Sequence, residues 1–293
     1  MKNKGVLTVN GFLASESFNE LYGFFLDAAK KHGIELAFKK NSELLFDAVN
    51  NKPIFDFEAD FVLFWDKDVK CAKQLENAHF NLYNCSRGIE LCDDKALTHI
   101  ELSKHDIPMP RTIIAPMTYA NIGYIDTDFI DTVIEELGLP LVIKECCGSF
   151  GQQVYLAKSR DELIATITQK AGTALIFQEF VETSIARDIR LYVVGGKVIA
   201  SILRENMSGD FRANVANGAK VSPYNPTDEE KKLAIKACDK LSLAFGGVDL
   251  LFGKDGTPLL CEVNSNAHFK GLYECTGVNA AEKITEFIKE DIN

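Results

Sequence analysis

The sequence lacks the features that mark several classes of protein. It has 293 residues and eight cysteines, but no two cysteines show the paired C-x-x-C spacing of a zinc site. No apolar stretch approaches the ~20 residues that a membrane helix needs. The run from Val6 to Val9 is too short for the core of a signal peptide. We therefore expect a cytoplasmic protein with buried free thiols, no structural zinc and no membrane partner.

Basic residues are outnumbered by acidic ones. There are 32 Lys and Arg against 42 Asp and Glu, which gives a formal net charge of −10, and no long Lys/Arg run occurs. A nucleic acid is therefore a poor candidate partner, because binding to its phosphates depends on a basic surface. An anionic substrate would need a local basic pocket. Internal repeats and low-complexity tracts are also absent, and the hydrophobic content of 46% is typical of a globular protein.

The pattern of strands and helices predicts more than one unit. Residues 1–92 alternate strands and helices, with strands at 5–9, 34–38 and 61–65 and an amphipathic helix at 17–32, which indicates a small α/β domain. The segment Ile107-Pro108-Met109-Pro110 must be extended and marks the entry to a new domain.

The rest of the chain mixes helices with strands and hairpins. Residues 129–181 predict helix, strand, loop, strand, helix and strand in that order. From Asp188 onward a meander follows, with a hairpin turn at Gly195-Gly196. Thr227 and Glu230 form a predicted capping box that begins a helix extending to about Ala244. We place the domain boundaries at 1–92, 93–185 and 186–293.

Two apolar runs near the C-terminus predict a hairpin that carries polar side chains. They flank Asp255-Gly256, a step that favours a tight turn. Centred there, the hairpin sets Asp249 opposite Glu262, with Cβ atoms roughly 5 Å apart, and Asn264 shares the face of Glu262. Two buried carboxylates repel unless a cation lies between them, so the pattern indicates a metal site. Two strands with solvent-facing polar residues are the alternative.

A second candidate site follows the apolar strand that ends at Lys144. The loop Gly148-Ser149-Phe150-Gly151 leads from it to another strand. Backbone N–H groups of such a loop can bind phosphates, and a lysine desolvated at a strand end is costly without an anion. The loop is not a Walker loop, because no G-K-[ST] occurs. An ordinary tight hairpin is the alternative.

Polar side chains also cluster between residues 187 and 214. Arg204 follows an apolar run and should project from the end of a strand. Several guanidinium groups near a carboxylate–metal cluster imply a ligand with many anionic oxygens. A surface salt bridge between Asp188 and Arg190 is the alternative for that pair. The candidates are Asp188, Arg190, Arg204, Arg212 and Asn214.

From about Asp93 to the C-terminus, the order and spacing of these motifs resemble ATP-grasp proteins, and among them the RimK-like glutamate ligases. The resemblance covers roughly two-thirds of the chain. It rests on Asp94-Lys95, Val142-Ile143-Lys144, Gln178-Glu179-Phe180-Val181, Asp188-Ile189-Arg190, Gly209-Asp210-Phe211-Arg212-Ala213-Asn214, Gly247-Val248-Asp249 and Glu262-Val263-Asn264-Ser265.

The resemblance implies an ATP-grasp fold of the α/β and α+β classes, in which an N-terminal α/β domain precedes two α+β subdomains that clasp ATP. It also implies a role for each matching residue. The phosphates would be bound by Lys95, Lys144, Gly148, Ser149 and Gly151, the adenine by Gln178, Glu179, Phe180 and Val181, and the ribose by Asp188. Mg²⁺ or Mn²⁺ would be bound by Asp249, Glu262 and Asn264. Arg212 and Asn214 would lie at the reacting centre, and Arg204 would neutralise the developing oxyanion.

The implied activity is an ATP-dependent carboxylate–amine ligation that proceeds through an acylphosphate and releases ADP. A small-molecule acid and an amine or peptide acceptor would be the partners, with glutamate or another amino acid among them. Positioning and electrostatic stabilisation would do most of the chemistry, and the loop at 148–151 would exclude water. Dimers and tetramers are common among such enzymes, so a homo-oligomer is compatible with the resemblance.

Two segments depart from the family pattern. Relatives carry another glycine near Gln152 or Gln153, and they often have Ser-Pro-Gly where this chain has Asn266-Ala267-His268. Both departures lie where substrate binding and loop closure act, so they leave the identity of the substrate open; His268 and Lys270 are either substrate contacts or part of a solvated loop. An ATP-grasp kinase acting on a hydroxyl and a non-catalytic ATP-binding module are the alternatives. Retention of the metal-ligand positions and of Lys144 argues against the second.

Overall fold

The structure is a computed structural model that describes residues 3–13, 15–148, 151–213 and 218–292.

The N-terminal unit is built on a parallel sheet with the strand order β2-β1-β5-β6. Its central strands are buried along almost their whole length, as expected where helices cover a parallel sheet. The predicted strands and the predicted helix of this unit are confirmed to within two residues. The elements are β1 (Lys4–Val9), α1 (Glu16–Lys31), β2 (Glu35–Lys40), β3 (Phe46–Asp47), β4 (Lys52–Pro53), β5 (Phe61–Trp65), α2 (Val69–Asn77), β6 (Leu82–Tyr83) and α3 (Ser86–Asp93).

The central unit is an antiparallel sheet in the order β7-β10-β8-β9, with two helices packed on it. The predicted succession of helix, strand, loop, strand, helix and strand is confirmed. Strand β7 was not predicted, because it is only three residues long and such a short strand shows no recognisable periodicity. The elements are α4 (Lys95–Leu102), β7 (Thr112–Ile114), α5 (Phe129–Leu137), β8 (Leu141–Glu145), β9 (Val154–Ala157), α6 (Arg160–Gln169) and β10 (Leu175–Glu179).

The C-terminal unit is an antiparallel sheet in the order β13-β12-β11-β14-β15. The predicted hairpin at Gly195-Gly196 is confirmed, and both glycines have positive φ (53° and 71°), as a type I′ turn requires. The capping box of Thr227 and Glu230 is also confirmed. The elements are β11 (Arg187–Val194), β12 (Lys197–Glu205), β13 (Lys220–Pro223), α7 (Asp228–Lys240), β14 (Phe245–Phe252), β15 (Pro258–Asn264), α8 (Lys270–Thr276) and α9 (Ala280–Asp291).

Helix α7 ends earlier than predicted. The sequence favoured a helix to about Ala244, but the last helical residue is Lys240. Ser242 takes a left-handed conformation with φ of 59°, which stops the helix and turns the chain into β14.

One hydrophobic core joins the N-terminal and C-terminal units. Trp65 at the end of β5 stacks on Phe245 of β14, with ring centroids 5.7 Å apart. Phe25 of α1 packs edge-on against Phe269, which precedes α8. The central sheet with α5 and α6 has a core of its own around Phe177 of β10, whereas Leu102 of α4 packs in the core of the C-terminal unit. The domain boundaries after residues 92 and 185 stay predictions.

Asn84 ties these two units together through polar contacts. Its Nδ2 donates to the carbonyl oxygens of Phe245 (2.9 Å) and Ser265 (2.8 Å), and its Oδ1 accepts from the N–H groups of Ala244 (2.8 Å) and Phe245 (3.2 Å). The side chain is buried. All of its hydrogen-bonding capacity is thus used across the interface.

We expect Asn84→Ala to lower the free energy of unfolding by about 2–4 kcal/mol, because it leaves buried backbone groups without partners. Urea denaturation followed by circular dichroism would measure the change. Asn81→Ala, at an exposed position nearby, is the matched control and should cost less than about 0.5 kcal/mol. Equal costs for the two variants would contradict the role of Asn84.

Candidate active site

A cleft lies between the sheet of the central unit and the sheet of the C-terminal unit, and we call it the outer cleft. It contains about 880 Å³ of space not filled by protein atoms, part of which is open to solvent. Most of the predicted site residues line it. They are Lys95, Lys144, Gly148, Gly151, Gln178, Glu179, Phe180, Val181, Asp188, Arg204, Arg212, Asp249 and Glu262.

Three other predicted site residues are not part of that lining. Asn264 lines a second pocket, described below. Ser149 and Asn214 lie outside the described residues.

Two lysines from different elements face the outer cleft. Lys144, near the end of β8, is buried, and its Nζ lies 3.6 Å from the Sγ of Cys261. Lys95 is the first residue of α4, behind the N-cap Asp94, and its Nζ lies 3.5 Å from the Oε1 of Glu262. Two ammonium groups on a cleft of this size suit a ligand with several anionic oxygens.

The predicted hairpin between β14 and β15 is confirmed, and its register is the expected one at the polar positions. Asp249 lies opposite Glu262, and Gly247 lies opposite Asn264. The register then shifts, so that Leu250 pairs with Leu260 and Cys261 is the extra residue of a bulge. Both Cys261 and Glu262 therefore line the outer cleft.

A network of buried ion pairs crosses the sheet at the base of the cleft. Arg190 donates from Nε and Nη2 to the two carboxylate oxygens of Asp249, each at 2.6 Å. Arg204 binds Asp188 in the same bidentate way, at 2.6 and 2.7 Å, and its Nη2 also lies 2.9 Å from Asp249. Burial raises the pKa of the Asp249 carboxyl, but the two guanidinium groups outweigh it and hold that pKa below its ordinary value.

The salt bridge considered between Asp188 and Arg190 is not formed. The strand register explains why, since Asp188 lies opposite Arg204 on β12 and Arg190 lies opposite Asp249 on β14. Directly opposed side chains on one face are the pairs that interact in a sheet. Each of the two residues thus has a cross-strand partner of opposite charge.

A second pocket, which we call the inner pocket, lies between the N-terminal unit and the C-terminal sheet. Asn10 and Asp66, which directly follow β1 and β5, line it from one side, and Arg190 lines it from the other. Arg204 and Glu262 line both the inner pocket and the outer cleft. Groups bound in the two cavities would therefore meet at these two side chains.

The comparisons with known proteins agree on one family. The RimK-like ATP-grasp domain matches residues 92–288. The chain belongs to the RimK-like ATP-grasp family. It is 34% identical to the "Uncharacterized protein MG012 homolog" of Mycoplasma pneumoniae, over 82% of this chain and 83% of that protein. It is 33% identical to a "Probable alpha-L-glutamate ligase" of Legionella pneumophila (strain Corby), over 74% of this chain and 70% of that protein.

Solved structures show the same fold. The ATP-grasp ligase PsnB, complexed with a minimal precursor, superimposes with a TM-score of 0.73 at 16% identity and covers 99% of this chain and 100% of its own. The predicted fold class is thereby confirmed, and this RimK-like chain is an ATP-dependent carboxylate–amine ligase. None of its helices in the described ranges combines the length and apolar character needed to cross a bilayer.

In this RimK-like enzyme, Arg212 links two loops over the outer cleft. Its Nη1 donates to the carbonyl oxygen of Gly151 at 2.6 Å, and its other nitrogens bind the carboxylate of Asp210. At the start of the glycine loop, Gly148 has a φ of +152°, and a Cβ there would lie 2.5 Å from Gln153 Oε1. A side chain at this position would have to displace Gln153, which itself lines the cleft.

The side chains of the predicted adenine connector are already engaged. Gln178 is buried and donates to the Thr112 hydroxyl at 2.9 Å. The carboxylate of Glu179 accepts from the backbone N–H of Arg111 at 2.8 Å. The backbone N–H of Glu179 and the carbonyl oxygen of Val181 are also engaged, with Arg111 and Ser184. The cleft side of this segment therefore offers the backbone and ring of Phe180 and the N–H of Val181, rather than the Glu179 carboxylate.

Sequence reasoning missed several residues of the outer cleft. Val142, Phe211 and Ala213 belong to motifs that carry the resemblance but were assigned no role of their own, and Val154 and Leu251 have the pattern of ordinary strand residues. Cys261 also escaped, because plain alternation along β15 puts it on the face opposite Glu262, and only the bulge brings it to the cleft. The missed lining residues are Val142, Gln153, Val154, Ser184, Arg187, Phe211, Ala213, Leu251 and Cys261.

The residues present can hold Mg²⁺ only together with a ligand. No group of three or more His, Cys, Asp or Glu side chains in the described ranges is arranged to hold a metal ion. Among the described residues, Asp249 already accepts from two arginines, whereas Glu262 has one ionic contact, with Lys95 at 3.5 Å. The Glu262 carboxylate and the amide oxygen of Asn264 are therefore the groups that could hold Mg²⁺ together with phosphates and water. The buried Nδ2 of Asn264 has no hydrogen-bond partner among these residues, but as an N–H donor it needs an acceptor and is not a metal ligand.

Proposed function

We propose that the outer cleft binds ATP and that the inner pocket binds the substrates it activates. The shared lining by Arg204 and Glu262 carries this proposal, because the γ-phosphate and the reacting carboxylate must meet at one point. Lys95 and Lys144 would bind the phosphates, residues 178–181 the adenine, and Asp188 the ribose side of the cleft. Gly148, Ser149 and Gly151 would contribute the phosphate loop.

The chain's own residues would then act by position and charge. A carboxylate is a poor electrophile, so its conversion to an acylphosphate, with release of ADP, prepares it for attack by an amine. Arg204 would stabilise the tetrahedral oxyanion that forms before phosphate leaves, and Arg212 and Asn214 would hold the transferred phosphoryl group. Arg204 uses Nε and Nη2 for Asp188, which leaves its Nη1 for the reacting centre.

We propose Glu262 and Asn264 as the main protein ligands of Mg²⁺ or Mn²⁺, with Asp249 contributing its remaining lone pair. Asp249 Oδ1 accepts one hydrogen bond, from Arg190 Nε, so it keeps one acceptor site. Mg²⁺ supplies charge neutralisation and a template for the β- and γ-phosphates when it is bound.

The substrates would be a small-molecule acid and an amine or peptide acceptor. Two similar proteins support this class by their names: one is a "Probable alpha-L-glutamate ligase", and the other is an ATP-grasp ligase complexed with a minimal precursor. All eight cysteines of this chain are free. Cys71, Cys92, Cys146 and Cys238 are buried as we expected, but Cys85, Cys261 and Cys275 are only partly buried and Cys147 is exposed. Free thiols agree with a reducing compartment, and we propose the cytoplasm.

The test is ADP release from Mg²⁺–ATP across a panel of amino acids, with and without peptide acceptors. We expect turnover only when an acid and an amine are both present, with ADP and not AMP as the product. Turnover with an alcohol in place of the acid and amine would indicate a kinase. Binding of ATP without turnover on any pair would contradict the ligase assignment for the compounds tested.

A further inference from the structure

The inner pocket contains a buried carboxylate, Asp66, to which the proposed reaction assigns no role. Asp66 directly follows β5, is 5% exposed, and accepts hydrogen bonds from Asn10 Nδ2 (3.2 Å) and from the backbone N–H of Lys67 (2.7 Å). None of the salt bridges among the described residues involves Asp66. Burial is the main cause that raises the pKa of its carboxyl, and Asp68 and Asp93 raise it further.

Unlike Asp66, the cations of the inner pocket are already in salt bridges. Each lysine or arginine that lines it, among the described residues, pairs with a carboxylate of the protein. Burial and the nearby Arg190 lower the pKa of His268, so its ring is neutral at pH 7 and adds no positive charge. The pairs are Lys67 with Asp93, Arg190 with Asp249, Arg204 with Asp188 and Asp249, and Lys270 with Glu20.

Much of the wall between these charges is apolar, although Ser17, Asn264 and Asn266 also line the pocket. Trp65, Tyr22 and Phe18 line the pocket from the N-terminal unit, and Ile202, Val221 and Leu272 line it from the C-terminal unit. Phe18 also lies edge-on to the ring of His268, with centroids 4.9 Å apart. A charged side chain of a ligand placed along this wall would lose its hydration without gaining a partner.

We propose that the inner pocket selects an amino acid with an apolar side chain, whose ammonium group binds Asp66 and Asn10 and whose carboxylate faces Arg190 and Arg204. This proposal rests on the proposed ligase function and names the substrate class of the same site. Arg190 donates from Nε and Nη2 to Asp249, which leaves Nη1 to donate to the carboxylate of the amino acid. A dicarboxylate such as glutamate would bring a second negative charge for which the pocket has no unpaired cation.

The first test measures binding by isothermal titration calorimetry, with the nucleotide site saturated by Mg²⁺ and a non-hydrolysable ATP analogue. The probes are L-leucine, L-methionine and L-phenylalanine against L-glutamate and L-aspartate. We expect at least one apolar amino acid to bind 10-fold or more tightly than L-glutamate. Tighter binding of L-glutamate, or no binding by any of the three apolar amino acids, would overturn the proposal.

The second test asks whether Asp66 recognises the ammonium group. For the wild-type protein, 4-methylpentanoate, which is L-leucine without its amine, should bind at least 10-fold more weakly than L-leucine. In Asp66→Asn this difference should shrink to less than 3-fold, while affinity for the ATP analogue stays unchanged. Asp27→Asn, at an exposed position on α1, is the matched control and should keep the wild-type difference. An undiminished difference in Asp66→Asn would overturn the role of Asp66.

Failure of this proposal can be told apart from failure of the proposed function. Selectivity is read from binding alone, whereas the ligase is read from ADP release that requires both an acid and an amine. An enzyme that turns over L-glutamate but not the apolar amino acids would keep the ligase and reject the selectivity.

Discussion

Replacing Glu262 with alanine should lower ADP release by about 100-fold or more while the fold stays intact. Glu262 is the carboxylate with the most spare capacity at the boundary of the two cavities, since its contact with Lys95 is 3.5 Å long. Its removal would take away a proposed metal ligand and change nothing in the hydrophobic cores. We expect the melting temperature to fall by no more than about 3 °C.

The measurement is the initial rate of ADP release as a function of Mg²⁺ concentration. Glu262→Ala should need more Mg²⁺ for half-maximal activity, in addition to its lower maximal rate. Glu286→Ala is the matched control, because Glu286 forms only an exposed ion pair with Lys283 on α9. Near-normal turnover in Glu262→Ala would remove the metal assignment.

Replacing Arg204 with methionine should cause the largest loss of stability. Arg204 is 3% exposed and contacts both Asp188 and Asp249, so its loss leaves Asp188 as a buried charge without its partner. Breaking a buried ion pair by removing one partner costs about 3–5 kcal/mol. Activity should be lost as well, because the same guanidinium group lines both cavities.

The loss of stability in Arg204→Met should depend on pH, and the direction of this dependence follows from the pKa of Asp188. In the wild type, burial already holds the pKa of the Asp188 carboxyl above its ordinary value although Arg204 opposes this shift, and without Arg204 that pKa would rise further. A raised folded pKa gives stability at low pH that is lost as the pH rises, so the deficit against the wild type should be smaller at pH 5 than at pH 7. Urea unfolding at both pH values would measure it.

A surface arginine gives the contrast for this experiment. Arg160 pairs with Asp131, and both side chains are more than 40% exposed. Arg160→Met should destabilise the protein far less than Arg204→Met, with little dependence on pH in this range. A cost for Arg204→Met as small as that of the surface variant would contradict the buried network.

The sequence predicted the parts of the site that depend on local pattern. It placed Asp249 opposite Glu262 correctly, but not for the reason given by the turn. The pairing of Phe252 with Pro258 centres the loop on Asp255 rather than between Asp255 and Gly256, and the bulge at Cys261 restores the predicted pairing. The sequence could not predict how the arginines pair, because Asp188 and Arg190 are close in sequence but bind partners on different neighbouring strands. Which strands are neighbours is a property of the whole sheet.

The inner pocket was beyond sequence reasoning for a related reason. Asp66 and Asn10 sit at strand ends of the N-terminal unit, and nothing in their local pattern tells which residues of the C-terminal unit face them. That pairing is set by Trp65, Phe245 and the other aromatic residues of the shared core. His268 and Lys270, considered as either substrate contacts or loop residues, both line this pocket.

The shared core also decides which part of the enzyme can move. The N-terminal and C-terminal units are held together by stacked aromatic rings and by Asn84. The central sheet with α5 and α6 has a separate core, whereas α4 packs through Leu102 in the core of the C-terminal unit. A hinge motion that closes the central sheet over the nucleotide would therefore reshape the outer cleft and leave the walls of the inner pocket in place. The amino acid would then meet a preformed site whether it arrives before or after ATP, and we expect its binding order to be random.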